Sequence, residues 1–383
     1  MTATAILDDL NIVGHYEAAF EAYDRVIRAL ESRGVRISRD ERAKSAVLYP
    51  LRPAELQRAA EQRGLPIVHG SMKTLGAPIG RDRRSIRTWV ADKVAGFEPL
   101  FTALQHPDMP VQTACLLLRH CGIPLVNFLT RVLSTNVAGE AISRFDEMVT
   151  NTFQTVLKLP PLSQAATKQL HWPLRHAGMG LRSLSGAHPA AYWSACVRAL
   201  PDVQSLLPPD LSTCPAPFMN CIRTAHRLLQ EAGLTADAPP GMRELLPPTA
   251  NDILSFYGTP DSPICNLPPH LQRDLSHAIV GLDFRRFLAT CSARCRARLL
   301  SCSGPPAVWI QAVPSDPELL LTNQQFQLAS RLRLGVPPMD LTPSHCACGS
   351  DFSSDCNHFL SCPTWPQRLA LRGTICWSNS WLD

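Results

Sequence analysis

No run of 18 apolar residues occurs in this 383-residue chain. By the length a bilayer demands, no membrane-spanning helix is expected. The most apolar stretch, Ala114 to Leu129, is interrupted by Arg119, His120 and Pro124. The amino terminus has no basic region followed by an apolar run, so no secretory signal is visible. Without one, the 14 cysteines are not expected to form a disulfide framework. Reduced thiols with some metal ligation fit better. No internal repeat is evident. No serine or cysteine nucleophile motif accompanies His69, His106, His120 and His176, which read as ordinary surface or core histidines.

Hydrophobic residues make up 45% of the chain, enough for ordinary cores, and the length allows two or three domains. The net charge of +5 does not by itself demand a nucleic-acid partner. Its distribution says more. Arg81, Arg83, Arg84 and Arg87 form one cluster, and Arg285, Arg286, Arg294, Arg296 and Arg298 a second. Either is a solvated face or a phosphate-contacting one; such contacts supply salt-sensitive affinity without sequence choice. Cys291 and Cys295 at helical spacing make the second cluster read equally well as a helix surface.

Two adjacent carboxylates, Asp8 and Asp9, sit in the apolar run Ala5 to Gly14. If buried, each loses hydration and the two repel. A divalent cation relieves both problems, although Asp also favours ordinary turns. The flanks read as one strand ending and another beginning. Tyr16 to Arg33 reads as an amphipathic helix with Phe20, Tyr23, Ile27 and Leu30 on one face, stopped by Gly34. Val35 to Ser38 and Ala46 to Tyr49 read as strands, and Gly70 to Gly80 as a glycine-punctuated hairpin. Residues 84–190 read as mostly helix. Within them Ala138 to Leu157 carries a core stripe through Phe145, Val149 and Phe153, and Trp172 beside Pro173 reads as packing. From about residue 201, repeated proline pairs argue for short helices, at 219–232 and 267–301, with irregular connections.

Near the carboxyl end Cys346, Cys348, His358 and Cys362 form the pattern C-x-C-x9-H-x3-C. Three thiolates and one imidazole suit tetrahedral zinc, and Gly349 allows a tight turn. His345 and Cys356 are spare ligands, and thiols packed in a loop are the alternative.

The order of an Asp-Asp turn, a helix, a lysine-bearing segment and Leu75-Gly76-Ala77-Pro78-Ile79-Gly80 resembles the second half of a reverse-transcriptase palm, that of non-LTR retrotransposons most of all. The family's aromatic residue two positions before Asp-Asp is here Ile6. Arg33 to Ala46, with Lys44, resembles the following motif, and Ser71 to Gly80 the hairpin that positions the primer end. Leu116 to Cys121, Phe145-Asp146 and His176 to Ser183 are similar to the helical thumb and the segment after it. Phe326 to Gly335 and the cysteine cluster are similar to the family's terminal helix and zinc knuckle. The resemblance covers roughly residues 5–190 and resumes near 320.

The resemblance implies a fold that is α+β and mostly α. It implies a partial palm at 1–82, a helical thumb and following segment at 83–200, a Pro-rich helical connection at 201–340, a zinc knuckle at 341–366 and a tail at 367–383. It implies RNA-directed DNA polymerase chemistry, with Asp8 and Asp9 holding two Mg2+ ions about 3.5–4 Å apart. Lys44, Lys73, Gly76, Arg81, Arg83, Arg84 and Arg87 would contact an RNA template and DNA primer. Cys346, Cys348, His358 and Cys362 would hold Zn2+; such knuckles contact exposed single strands. The family's third carboxylate lies on an earlier strand, for which there is no room upstream of Asp8. The expectation is an amino-terminally truncated polymerase that binds magnesium weakly and is inactive alone, unless a missing amino-terminal half is supplied. A nuclear site of action is implied by the resemblance only. A nucleic-acid-binding protein without chemistry, or a relic of such an element, is the second reading.

Overall fold

The computed structural model describes residues 2–6, 9–35, 45–49, 54–206, 216–235, 237–258, 266–315, 320–337 and 348–351. The chain divides into two units, Met1–Asp92 and Lys93–Asp383.

In the first unit β1 (Thr2–Ile6) and β2 (Asp9–Val13) pair antiparallel, with Ile6 opposite Asp9 and Thr2 opposite Val13. Helix α1 (Tyr16–Glu31) follows, and Gly34 adopts φ 80° after it, as a left-handed helix stop requires. β3 (Val47–Leu48) pairs parallel with β4 (Ile67–Val68), joined through α2 (Ala54–Glu61). Phe20, Leu56 and Ala60 form the buried centre, with Val47, Leu65 and Ile67 packed against it. Arg63 clamps the two helices together. Its Nε and Nη2 donate to Asp24 at 2.9 and 2.6 Å, and its guanidinium lies 4.8 Å from the centre of the Phe20 ring.

β5 (Ser71–Thr74) and β6 (Ala77–Gly80) form the expected hairpin. Its two turn residues, Leu75 and Gly76, have φ of 49° and 82°, the handedness that matches strand twist in a two-residue connection. Gly80 adopts φ 155°, where an added Cβ would lie 2.3 Å from the Gly70 carbonyl oxygen. Glycine alone fits there. α3 (Arg83–Ala95) starts in this unit, and Asp82 caps its first turn by accepting from the Arg84 N–H at 2.9 Å.

The second unit is helical. α4 (Glu98–Leu104) is followed by α5 (Val111–Leu117), which runs on through a π-helical turn, a 3-10 turn and α6 (Leu129–Val132). By length and composition the span Val111–Val132 would cross a membrane, but 50% of its apolar window is buried inside the fold. The π turn, Pro124 and the inward anchoring of Arg119 break its regularity.

α7 (Thr135–Val156) buries Phe145, Val149 and Phe153, the expected stripe. α8 (Gln164–His171) is capped by Ser163, whose Oγ accepts from the Ala166 N–H. α9 (Leu184–Leu206) is the central helix and packs on α6 and α7, as well as on two later helices, α10 (Ala216–Glu231) and α12 (Leu271–Thr290). Between these two stands α11 (Ile253–Tyr257). Trp193, Leu229, Tyr257, Leu271 and Leu275 close this core.

The helix expected over 267–301 is two helices. α13 (Ala293–Ser301) starts afresh because Cys291 turns extended and Ser292 caps the new helix, its Oγ 3.2 Å from the Cys295 nitrogen. α14 (Asn323–Leu334) opens on a capping box formed by Thr322 and Gln325, and Gly335 (φ 69°) ends it. The fold is thus α+β and mostly helical, as the sequence implies.

Candidate nucleic-acid interface

Asp9 stands at the start of β2, directly across the ladder from Ile6. Asp8 lies outside the described residues, as do Lys44, Cys346, His358 and Cys362. The remaining knuckle residue, Cys348, is exposed, with its Sγ 3.3 Å from Ser350 Oγ. Among the described residues no three His, Cys, Asp or Glu side chains converge as a metal site requires.

The hairpin residues are better placed. Lys73 is exposed on β5, opposite Pro78, and Gly76 forms the tip. Arg81, Arg83, Arg84 and Arg87 are all exposed on α3 and the residues entering it. Four guanidinium groups open to solvent on the residues next to the hairpin make a surface that a phosphate backbone can reach.

The second arginine cluster is built differently. Arg286 Nη1 donates to the Ala232 carbonyl at 3.2 Å, and Arg296 Nε to the Leu288 carbonyl at 2.9 Å. Arg298 Nη1 donates to Gln169 Oε1 at 3.0 Å and to the Arg333 carbonyl. These side chains satisfy helix ends and interior carbonyls, so the stabilising use dominates there. Trp172 is likewise packed. It is buried, lies edge-on to Phe284 and Phe287, and donates from Nε1 to Asp283 at 2.9 Å.

A larger feature was not legible as a cluster. In the second unit a cavity of about 850 Å³ is lined by Arg119, Arg131, Arg175, Arg182, Arg198 and Arg273. Three histidines join them, and no Asp or Glu lines it. Its walls come from the π-helical turn and α6, the turn after α8, the flank of α9 and the first half of α12. Three arginines are held in place by neutral oxygens. Arg119 donates to the Ile310 and Met179 carbonyls at 3.0 and 2.5 Å. Arg182 donates to Ser276 Oγ at 3.0 Å. Arg198 donates to the Pro268 and Pro269 carbonyls at 2.9 and 2.7 Å. Such partners fix the side chain without cancelling its charge.

The electrostatic consequence is visible in the ionisation of the wall. Loss of hydration lowers the pKa of Arg182, and the neighbouring Arg131 charge adds to it, although the side chain keeps access to solvent. His277 is lowered by loss of hydration first, then by Arg175 and Arg273, partly offset by Asp274, with Arg182 adding a smaller push. Positive groups here oppose one another, and Asp274 alone among the groups acting on His277 opposes them.

Of the six arginines, Arg119 and Arg182 fall in stretches that carry the family resemblance. Arg131, Arg175, Arg198 and Arg273 are scattered singly through the sequence, so no local pattern marks them. Comparison with protein-family models, with curated proteins and with solved structures finds no match to this chain.

Proposed function

We propose that this chain is part of an RNA-directed DNA polymerase of the non-LTR retrotransposon kind, and that its described surfaces hold template and primer. The observation that carries the reading is the element order in the first unit. An antiparallel pair bearing Asp9 opposite Ile6 precedes a helix, a parallel strand pair and a two-residue hairpin bearing Lys73 and Gly76. Exposed arginines of α3 follow at once. In that chemistry Asp8 and Asp9 would hold Mg2+, which would supply the charge that activates a primer hydroxyl and steadies the leaving phosphates. The hairpin and Arg81, Arg83, Arg84 and Arg87 carry the duplex, and Cys346, Cys348, His358 and Cys362 form a zinc knuckle for single-stranded nucleic acid.

A nucleic-acid-binding role without chemistry is the second reading, favoured by the arginine cavity, which needs no metal.

The experiment uses the full chain, a DNA primer annealed to an RNA template, Mg2+ and deoxynucleotides. Fluorescence anisotropy is expected to show hybrid binding that weakens with salt. Joint substitution of Arg83, Arg84 and Arg87 by Gln is expected to weaken it by about tenfold. Any primer extension must vanish in Asp8→Asn with Asp9→Asn while hybrid affinity holds. Extension that survives both substitutions removes the polymerase reading, and so does hybrid affinity indifferent to the α3 arginines. Because the truncated chain is expected to be inactive alone, binding lost through the arginines leaves the second reading only if extension stays absent after the missing amino-terminal half is supplied. Metal analysis is expected to find about one zinc per chain, lost in Cys346→Ser with Cys348→Ser.

A further inference from the structure

The arginine cavity of the second unit has more positive groups than any packing role uses. Arg131 and Arg175 are exposed, and neither side chain makes a hydrogen bond or ion pair among the described residues. Arg119, Arg182 and Arg198 are already oriented by neutral acceptors. Asp274 is turned to Arg273 Nε at 3.2 Å and is not part of the lining. A concave wall of one sign concentrates potential and draws counter-ions. The volume, about 850 Å³, lies within the range of sites that enclose whole ligand groups.

The lining also says what such a ligand lacks. No Phe, Tyr or Trp faces the cavity, so stacking on a base would fall to its three histidines and its guanidinium planes alone. Much of its wall is helix, whose backbone groups are already paired. No strand edge is available to hold a peptide main chain. What remains is planar guanidinium forks, which match the oxygens of phosphate two at a time.

We propose that this cavity binds closely spaced phosphate groups, either consecutive phosphodiesters of one nucleic-acid strand or a free oligophosphate. Arg119, Arg182 and Arg198 form the fixed part of the cradle, and Arg131 and Arg175 close on the ligand from its open side. Bound phosphate relieves the mutual repulsion of the wall, so it stabilises the fold by mass action. The nucleic-acid source rests on the polymerase reading above; the free-oligophosphate source does not.

The test is calorimetric titration and thermal melting of the full chain with inorganic tripolyphosphate near physiological salt. A mixed-sequence single-stranded RNA serves as competitor. Tripolyphosphate is expected to bind and to raise the melting temperature. Arg131→Gln with Arg175→Gln and Arg182→Gln is expected to weaken binding by more than about tenfold, since charged hydrogen bonds are lost. Arg83→Gln with Arg84→Gln, in the other unit, is expected to leave it unchanged. If the triple variant does not fold, Arg175→Gln alone, at an exposed position, must still weaken binding. Competition by RNA identifies the backbone as the ligand, and its absence identifies a free oligophosphate; both uphold the site. No tripolyphosphate binding overturns the proposal. So does binding indifferent to these arginines, or equal binding of an oligoglutamate peptide of matched charge. Tripolyphosphate binding without any binding of the primer–template hybrid keeps the cavity and removes the polymerase reading.

Discussion

Asp146, buried midway along α7, accepts a 2.9 Å hydrogen bond from the backbone N–H of Leu184, the first residue of α9. The same carboxylate takes the Ser185 N–H at 2.9 Å and the hydroxyls of Ser183 and Ser185 at 2.8 and 2.6 Å. It therefore fills the role of a helix cap from a different helix, and it sets where the central helix of the second unit begins. Asp146→Ala leaves those donors without an acceptor in a buried place. The expected loss is at least about 2 kcal/mol, read from urea unfolding. Asp146→Asn, which keeps one carbonyl oxygen, is expected to fall between. A loss within about 0.5 kcal/mol for the alanine variant rules out the capping role.

Arg333 on α14 is buried and holds three carbonyl oxygens. Nε reaches Gly178 at 3.0 Å, Nη1 reaches Cys302 at 2.7 Å and Nη2 reaches Leu174 at 3.0 Å. Burial above all lowers its pKa to about 10, with Arg119 and Arg298 contributing, so it stays charged at neutral pH. It binds the turn after α8 to α13 and α14 without using a carboxylate. Arg333→Met keeps much of the volume but strands three acceptors. Loss of about 3 kcal/mol or more in denaturant melts is expected, and Arg333→Lys, lacking the fork, recovers only part.

Leu75 occupies the first turn position of the β5–β6 hairpin at φ 49°, a region in which its Cβ is strained. Its side chain is 51% exposed, so little packing holds it there. Leu75→Asn creates the Asn-Gly pair that this turn favours. Stability of the hairpin is expected to rise by about 0.5–1 kcal/mol, seen as slower amide exchange across Ser71 to Gly80. Faster exchange runs against the turn geometry.

His188 lies buried in α9, with Nε2 2.7 Å from the Leu133 carbonyl. Burial lowers its pKa below the ordinary 6.5, while the bond to Leu133 acts the other way. His176 and His277 are lowered as well, burial first in each. The unfolded chain then binds more protons than the folded one below the ordinary histidine value. Their contribution is complete above about pH 6.5 and is lost as pH falls through the lower folded values. Chemical-denaturation midpoints are expected to decline from about pH 7.5 to about pH 5.5, and His188→Gln is expected to flatten that decline. A midpoint that rises on acidification contradicts the sign.

The local elements were legible because their signals are local. Phe20, Ile27 and the Gly34 stop announce α1, and Gly76 and Gly80 announce the hairpin. Phe145, Val149 and Phe153 announce the buried face of α7. Ser292 divides the expected helix at 267–301 because its hydroxyl caps a new one. Arg298 sits in the sequence like a surface charge, yet its guanidinium is used on Gln169 and on Arg333, far away along the chain.

Amino-acid order is enough to place the helical bulk of the chain, the Asp8-Asp9 pair between two strand-like runs, the hairpin at 70–80 and the arginines that follow it. Each depends on residues a few positions apart, so periodicity, caps and turn chemistry suffice. Which arginines are used on carbonyl oxygens and which face a shared cavity follows from packing between distant segments. Arg131, Arg175, Arg198 and Arg273 have no common neighbours in sequence. They meet because α9 packs against both α6 and α12 beside the turn after α8, and charge adds up through space rather than along the chain.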